Sequence, residues 1–265
     1  MVIAVTLIFF VFGLIIGSFL NVVILRLNTE KSFGGRSACM SCRNKLSWYE
    51  LIPVVSFIFL RGRCKNCKTK ISSQYPIVET ITGIIFASLF LKFQDIFFLD
   101  TIAFSFTYAY YVAMFSLLLV ISVYDFKHKI IPDTLSFVFG ILGFLGLFFF
   151  NASGLSMQAG FGPQLPPISE FLSGLLIAAP FAFFWFVSKG TWMGLGDAKL
   201  ALGLGWMLGL SRVFSGAVVA FWIGAVLGLF LVLFKKNYGM KSEIPFAPYL
   251  ALGAFLAFIF ELHLF

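Results

Sequence analysis

Four cysteines occur as two pairs in the first third of the chain. They are Cys39, Cys42, Cys64 and Cys67, which form two C-x2-C turns with 21 residues between them. Two such turns can enclose a zinc ion tetrahedrally and leave no coordination position open, so the spacing predicts a structural zinc site. Two disulfides are the alternative, and they rarely persist in a reducing compartment.

Two acidic residues border long uncharged segments. Asp125 follows the apolar run that ends at Tyr124, and Asp197 follows Gly194-Leu-Gly and precedes a glycine-rich run. Ionisable groups near hydrocarbon are costly, so we treat them as functional candidates. Two carboxylates held about 3 Å apart cannot both be ionised and share one proton, which is the chemistry of aspartic proteolysis.

Each of these acids could instead be a helix-end charge paired with Lys127, Lys129 or Lys199. That interpretation does not explain the two glycines before Asp197, which we expect to let a substrate strand approach the backbone. A third acid, Asp133, follows a proline and precedes an apolar run. This position favours a role at a helix N-terminus.

The elements that must position these residues are transmembrane helices. The chain has 265 residues, of which 60% are hydrophobic and 11% charged, and its mean hydropathy is +1.01. An average soluble domain has roughly a quarter charged residues, so a water-soluble globule is excluded. Apolar runs close to the length of about 20 residues that crosses a bilayer predict eight spans. The runs are 2–25, 75–91, 101–124, 134–150, 171–188, 198–210, 213–234 and 244–260.

The net charge of +8 is concentrated in one loop. Residues 26–70 contain ten of the 19 Lys and Arg residues and two acids, and the rest of the chain is balanced. A single basic loop between spans predicts a cytoplasmic position and does not indicate a nucleic-acid partner. With eight spans, this orientation places 17 of the 19 basic residues and both aspartates on the cytoplasmic side and both termini outside.

The sequence therefore predicts an all-α, polytopic integral membrane protein with about eight transmembrane helices and a small zinc-stabilised cytoplasmic loop domain. We divide it into a first transmembrane helix (1–25), a basic zinc-binding module (26–74) and a seven-helix transmembrane region (75–265). Gly13, Gly17 and Gly209 are predicted to serve helix packing. A proton-coupled transporter and a zinc-stabilised membrane scaffold remain alternatives, although no internal repeat favours a transporter.

The chain resembles the bifunctional type IV prepilin peptidases, which are GxGD-type aspartic peptidases and are also called prepilin leader peptidase/N-methyltransferases. The resemblance covers nearly the whole chain. The matching motifs are Gly17-Ser-Phe-Leu-Asn-Val-Val-Ile, the paired C-x2-C turns with Ser47-Trp-Tyr-Glu-Leu-Ile-Pro between them, Leu60-Arg-Gly-Arg-Cys64, Tyr75-Pro-Ile-Val-Glu79, Asp125 through Ile131-Pro-Asp133, Gly194-Leu-Gly-Asp197-Ala-Lys and Ile244-Pro-Phe-Ala-Pro-Tyr.

This resemblance implies that Asp125 and Asp197 are the catalytic pair of a membrane endopeptidase. Such an enzyme lies in the bacterial cytoplasmic (inner) membrane, among its lipids, and removes the leader of type IV prepilins or pseudopilins at the cytoplasmic face. Departures from the family pattern are small: Met40, Gln74 and Ala247 replace residues that relatives often have. None of the three alters the two acids.

The resemblance also implies a second activity, methylation of the new N-terminal residue with S-adenosylmethionine, and zinc at the four cysteines. No residue pattern identifies the S-adenosylmethionine site, for which Arg61, Gly62, Arg63 and Glu79 are the candidates. A leader peptidase without methyltransferase activity is the alternative within the family. The cysteine module, which shorter relatives lack, favours the bifunctional enzyme.

Overall fold

The computed structural model describes residues 1–29, 34–150, 165–234 and 244–264. Within these ranges the regular structure is helical, with two isolated β-bridges, which confirms the all-α prediction. The elements in chain order are α1 (Val2–Arg26), a 3-10 helix (Trp48–Leu51), α2 (Val55–Phe59), α3 (Gln74–Leu99), α4 (Thr101–His128), α5 (Asp133–Phe149), α6 (Ile168–Ser188), α7 (Leu195–Leu208), α8 (Leu210–Phe234) and α9 (Ala247–Ile259).

A helix lies at each of the eight predicted spans. Five of them, α1, α3, α4, α6 and α8, are long and apolar enough to cross a membrane, so the protein is a multi-pass membrane protein. Helices α5, α7 and α9 have 17, 14 and 13 residues. At 1.5 Å per residue they are about 20 to 25 Å long, shorter than a hydrocarbon core of about 30 Å. Eight crossings therefore remain a prediction.

The chain divides into two compact units, the first of which is Met1–Phe104. In this unit α1 packs along α3 through glycines. A Cβ atom at Gly17 would lie 2.7 Å from the Cα atom of Glu79, and one at Gly13 would lie 2.8 Å from the Cα atom of Gly83. The backbones therefore approach too closely for any side chain, which confirms the packing role predicted for these two glycines.

Replacing Gly17 with alanine should destabilise the protein by roughly 1 to 3 kcal/mol, because the added methyl group overpacks the contact between α1 and α3. Gly140→Ala is the matched control, since nothing lies within 4 Å of a Cβ atom at that buried helical position. Thermal unfolding in detergent measures both changes. A lower midpoint for Gly140→Ala than for Gly17→Ala would contradict the packing argument.

The second unit, Ser105–Phe265, contains both aspartates. Helix α7 is held between α5 and α6 by close backbone approach. A Cβ atom at Gly143 of α5 would lie 2.8 Å from the carbonyl oxygen of Gly203, and the hydroxyl of Ser173 in α6 donates a 2.8 Å hydrogen bond to the carbonyl of Gly205. These contacts fix the helix whose first turn includes Asp197.

Aromatic side chains place α4 against α9 in the same unit. The ring centroid of Phe258 lies 4.5 Å from that of Tyr111 and 5.4 Å from that of Phe115. Large aromatic side chains contribute much of the contact area between helices. This contact runs along the helix that ends just after Asp125.

Two details differ from the sequence predictions. Gly209 forms a one-residue break between α7 and α8, with φ of +76°, so glycine serves a backbone turn at this position, and the packing role predicted for it remains a prediction. Helix α3 continues to Leu99, past the predicted end at residue 91. Lys92 and Asp95 lie within its last two turns, and charged residues at that end of the helix do not interrupt it.

Candidate active site and metal centre

Asp125 is buried one turn before the end of α4, with 5% of its surface exposed. Its Oδ2 atom accepts a 3.2 Å hydrogen bond from the backbone N–H of Ala247. Ala247 is the first residue of α9, and Pro248 follows it in the helix's first turn, where proline is favoured. The carboxylate therefore lies at the N-terminus of α9, where unpaired backbone N–H groups favour an oxygen acceptor.

Asp197 is the third residue of α7 and is equally buried, with 8% of its surface exposed. Its carboxylate interacts electrostatically with that of Asp125. Its Oδ1 atom has no hydrogen-bond partner among the residues that the structure describes. The structure thus brings together the two acids predicted from the sequence and leaves one buried acceptor oxygen unused.

The two glycines before Asp197 differ in their surroundings. A Cβ atom at Gly196 would lie 2.8 Å from the Cβ atom of Ile131, whereas the nearest atom to one at Gly194 would be Asp197 Oδ2 at 3.8 Å, an ordinary contact. The expectation that a substrate strand approaches at both glycines is wrong for Gly196, because Ile131 fills that space. It remains a prediction for Gly194, which directly precedes α7.

The third acid, Asp133, is the first residue of α5, as expected for a residue at a helix N-terminus. Its Oδ1 atom forms an ion pair with the ammonium group of Lys199 at 2.6 Å. The Asp133 side chain is 76% exposed, so this acid is outside the buried pair. This contact does not support the alternative that Lys199 is paired with Asp197, because the ammonium group of Lys199 binds Asp133.

The four cysteines form one cluster in the first unit. All four Sγ atoms lie within 4.8 Å of one another, and the Sγ atoms of Cys39 and Cys67 are 3.7 Å apart. None of the four is in a disulfide. A tetrahedral zinc ion with Zn–S bonds of about 2.3 Å separates its ligands by about 3.8 Å, so this donor set fits a zinc ion.

Each C-x2-C pair is built on the same local turn. The N–H of Cys39 donates to the carbonyl of Asn44, and the N–H of Arg43 donates back to Cys39. In the second turn, Cys64 donates to Thr69 and Lys68 donates to Cys64 in the same way. Arg43 and Lys68 both have positive φ, and each turn is flanked by an isolated β-bridge.

This internal duplication was missed in the sequence analysis, although the signal is present in Ala38-Cys-Met-Ser-Cys-Arg-Asn-Lys45 and Arg63-Cys-Lys-Asn-Cys-Lys-Thr-Lys70. Both segments have a basic residue directly after the second cysteine and a lysine three residues after it. The two copies of the turn therefore direct both pairs of cysteine Sγ atoms toward the same point.

Hydrogen bonds and burial shift the pKa values of the cluster's thiols in both directions. A hydrogen bond between the Cys67 side chain and the hydroxyl of Thr69, with Oγ1 3.2 Å from Sγ, lowers the pKa of Cys67 to about 6. Backbone N–H groups of the first turn, chiefly that of Cys42, lower the pKa of Cys39. Although the backbone N–H of Asn44 lowers it, desolvation and the neighbouring thiols raise the pKa of Cys42 to about 11. A metal that binds all four cysteines therefore displaces protons.

The candidates for S-adenosylmethionine binding lie in two places in the first unit. Arg61, Gly62 and Arg63 follow α2 after one intervening residue, Leu60, and Arg61 and Gly62 both have positive φ. Glu79 is buried in α3, where its Oε2 atom accepts a 2.7 Å hydrogen bond from the N–H of Val54. Glu79 thus holds the segment that leads into α2. The role of these four residues in cofactor binding remains a prediction.

Two family descriptions match separate parts of the chain. Residues 11–93 match the bacterial peptidase A24 N-terminal domain, and residues 112–233 match the type IV leader peptidase family. The first match contains the four cysteines, and the second contains both buried aspartates. No solved structure matches the chain significantly.

Among similar curated proteins, one from Bacillus subtilis is 32% identical over 257 residues, which are 96% of this chain and 93% of that protein. One from Xanthomonas campestris is 29% identical over 273 residues, covering 93% of this chain and 88% of that protein. One from Pseudomonas aeruginosa is 28% identical over 275 residues, covering 93% of this chain and 87% of that protein. All three are named prepilin leader peptidase/N-methyltransferase.

The fold and the site define a multi-pass, all-helical membrane protein with a buried pair of aspartates and a four-cysteine cluster that can hold a metal ion. More narrowly, the chain belongs to the type IV leader peptidase family, a family of proteases.

Proposed function

We propose that this chain is a membrane aspartic endopeptidase that removes the leader peptide of type IV prepilins or pseudopilins and then N-methylates the new N-terminal residue. The observation that carries the proposal is the buried pair of Asp125 and Asp197, whose carboxylates interact electrostatically. Membership of the type IV leader peptidase family supports the substrate class. The name shared by the similar proteins supports the second activity.

The geometry indicates a catalytic role for each of the two aspartates. One ionised aspartate takes a proton from a water molecule while the protonated partner donates a hydrogen bond to the scissile carbonyl, and the roles exchange as the tetrahedral intermediate collapses. The N–H of Ala247 orients Asp125. The Oδ1 atom of Asp197, which has no partner in the described part of the chain, is available to the water or the substrate.

We assign the activities to regions of the chain as follows. Residues 26–74, between the first transmembrane helix (1–25) and the rest, form a module for methyl transfer, and residues 75–265 form the peptidase region. The positive-inside rule supports a cytoplasmic position for the module and the active site, with both termini outside. In this arrangement the charged leader of the substrate stays in water while its apolar segment lies among the helices.

The four cysteines would hold a zinc ion with a structural role. A four-thiolate site leaves no coordination position for a substrate, so the ion stabilises the turns around Cys39 and Cys64. S-adenosylmethionine supplies the methyl group. The module contributes the surface on which the new amine and this cosubstrate meet, with Arg61, Gly62, Arg63 and Glu79 as the candidate contacts.

The test is to incubate the detergent-purified protein with a prepilin, with and without S-adenosylmethionine, and to measure the N-terminal mass of the product. We expect loss of the leader in both reactions and one additional methyl group only with S-adenosylmethionine. Loss of the leader alone would identify a peptidase without methyltransferase activity. A substrate that stays intact, although another family member cleaves it under the same conditions, would favour the proton-coupled transporter.

Gly196→Ala should reduce leader cleavage at least tenfold, because the new methyl group would collide with Ile131 and displace the first turn of α7, which includes Asp197. A displacement of about 1 Å at a catalytic group can cost about 10²-fold in rate. Gly140→Ala is the matched control, since nothing lies within 4 Å of a Cβ atom there. Rates of prepilin cleavage measure both variants, and an equal or larger loss for Gly140→Ala would contradict the prediction.

A further inference from the structure

The segment that leads into α2 is held beside the transmembrane helices α1 and α3. Glu79 of α3 accepts hydrogen bonds from the N–H of Val54, at 2.7 Å, and from the hydroxyl of Ser18 in α1. Glu79 is five residues, or about 8 Å, from the start of α3, and Ser18 is about 12 Å before the end of α1. Val54 therefore lies beside the helices and not beyond their ends.

The residues that follow Val54 expose large apolar side chains. Ile58 is 66% exposed and Phe59 is 82% exposed, and the indole of Trp48 nearby in sequence is 78% exposed. Large apolar side chains that point away from their own unit are unfavourable in water and favourable at the headgroup and acyl boundary of a bilayer. Aromatic residues are enriched at this boundary.

Next to these apolar residues lies a groove of about 560 Å³ whose charged lining is entirely basic. We call it the basic groove. It is lined by Phe59, Leu60, Arg61, Arg63, Cys64, Lys65 and Lys68. No acidic residue lines it among the residues that the structure describes. A concave surface of four cations beside exposed apolar groups is complementary to phosphates at a membrane surface.

We propose that the basic groove binds the headgroups of anionic phospholipids in the bilayer that contains α1 and α3. The insertion of α2 at the lipid boundary brings the groove to the level of the phosphates. Arg61 and Arg63 are also candidate contacts for S-adenosylmethionine, but its sulfonium and ammonium groups outweigh its single carboxylate and give it a net positive charge. A groove lined by four cations therefore favours phosphates over this cosubstrate. The proposal depends on membrane insertion of the protein and not on its proposed catalytic activities.

Hydrogen–deuterium exchange of the full-length protein in nanodiscs tests this proposal. One set of nanodiscs contains phosphatidylcholine alone, and the other contains phosphatidylcholine with phosphatidylglycerol. We expect slower exchange of peptides covering residues 57–68 in the anionic nanodiscs, and loss of this protection in high salt, which screens charges near the surface. Equal exchange in the two nanodiscs would overturn the proposal without any variant.

A pair of variants of equal charge locates the effect. The triple change Arg63→Gln, Lys65→Gln and Lys68→Gln should abolish the protection by phosphatidylglycerol. The control, Arg36→Gln with Arg43→Gln and Lys45→Gln, removes three basic residues of the same module that do not line the groove and should retain it. Equal loss in both triples would overturn the assignment to the groove.

Two further measurements keep the comparison interpretable. The metal content of each triple variant and its exchange in phosphatidylcholine alone should match those of the unsubstituted protein, because the four thiolates are unchanged. Protection of residues 57–68 by S-adenosylmethionine in phosphatidylcholine nanodiscs, without anionic lipid, would show that the groove is a cosubstrate site and would overturn the proposal.

Discussion

Replacement of either Asp125 or Asp197 by asparagine should abolish leader cleavage, with a loss in rate of at least about 10²-fold. An amide cannot accept the proton of the attacking water, and it cannot exchange a proton with its partner. Asparagine has nearly the shape of aspartate, and its carbonyl can still accept the hydrogen bond from Ala247. The loss should therefore be chemical, with little effect on folding.

The measurement is the rate of prepilin cleavage by the purified variants, together with their metal content. Asp133→Asn is the matched control, because Asp133 is an exposed acid paired with Lys199 and lies outside the buried pair. We expect this control to retain cleavage. All three variants should bind metal like the unsubstituted protein. Retained cleavage in Asp125→Asn or Asp197→Asn would refute the catalytic assignment.

Loss of the metal should produce the second large effect, on methyl transfer. Cys64→Ser replaces the one buried cysteine of the cluster and leaves three thiolates, which no longer complete a four-coordinate zinc site. Structural zinc binding is coupled to folding with apparent free energies of about 10 to 16 kcal/mol in small domains, so the turns around the cluster should unfold. We expect methylation of the cleaved product to disappear while leader cleavage continues.

Metal analysis, hydrogen exchange of residues 34–71 and the product mass measure this effect. Ser41→Ala, which changes a residue of the first C-x2-C turn that supplies no ligand atom, is the control and should retain metal and methylation. Methyl transfer by a metal-free Cys64→Ser variant would contradict the structural role of the site. A loss of cleavage as large as the loss of methylation would contradict the assignment of the peptidase to the region that contains Asp125 and Asp197.

The positions of the helices were predictable from the sequence, because hydropathy reports directly which segments avoid water. The exact lengths of the helices were less predictable. Lys92 suggested an end for α3, yet the helix continues to Leu99, since a charge near a helix end can extend toward the interface. The break at Gly209 depends on a positive φ that the composition of a glycine-rich run does not reveal.

The candidate site was predictable where the signal was a residue type at a distinctive position. The two aspartates and the four cysteines fall in this class, and the structure groups them as expected. The N–H of Ala247 and the contact between Glu79 and Val54 were not predictable, because each joins residues far apart in the chain. A backbone N–H donor does not depend on the type of side chain, so a sequence pattern cannot identify which backbone group will donate to a carboxylate.

The hydrogen bond between Asp125 and Ala247 has a consequence for biosynthesis. The two residues are 122 positions apart, so while the ribosome makes α5 to α8 the carboxylate lacks the donor that orients it. The cysteines, in contrast, all emerge before α3 is made. A nascent chain would therefore complete its metal module first and its peptidase site only after α9 has been inserted, which delays proteolysis until the membrane domain is assembled.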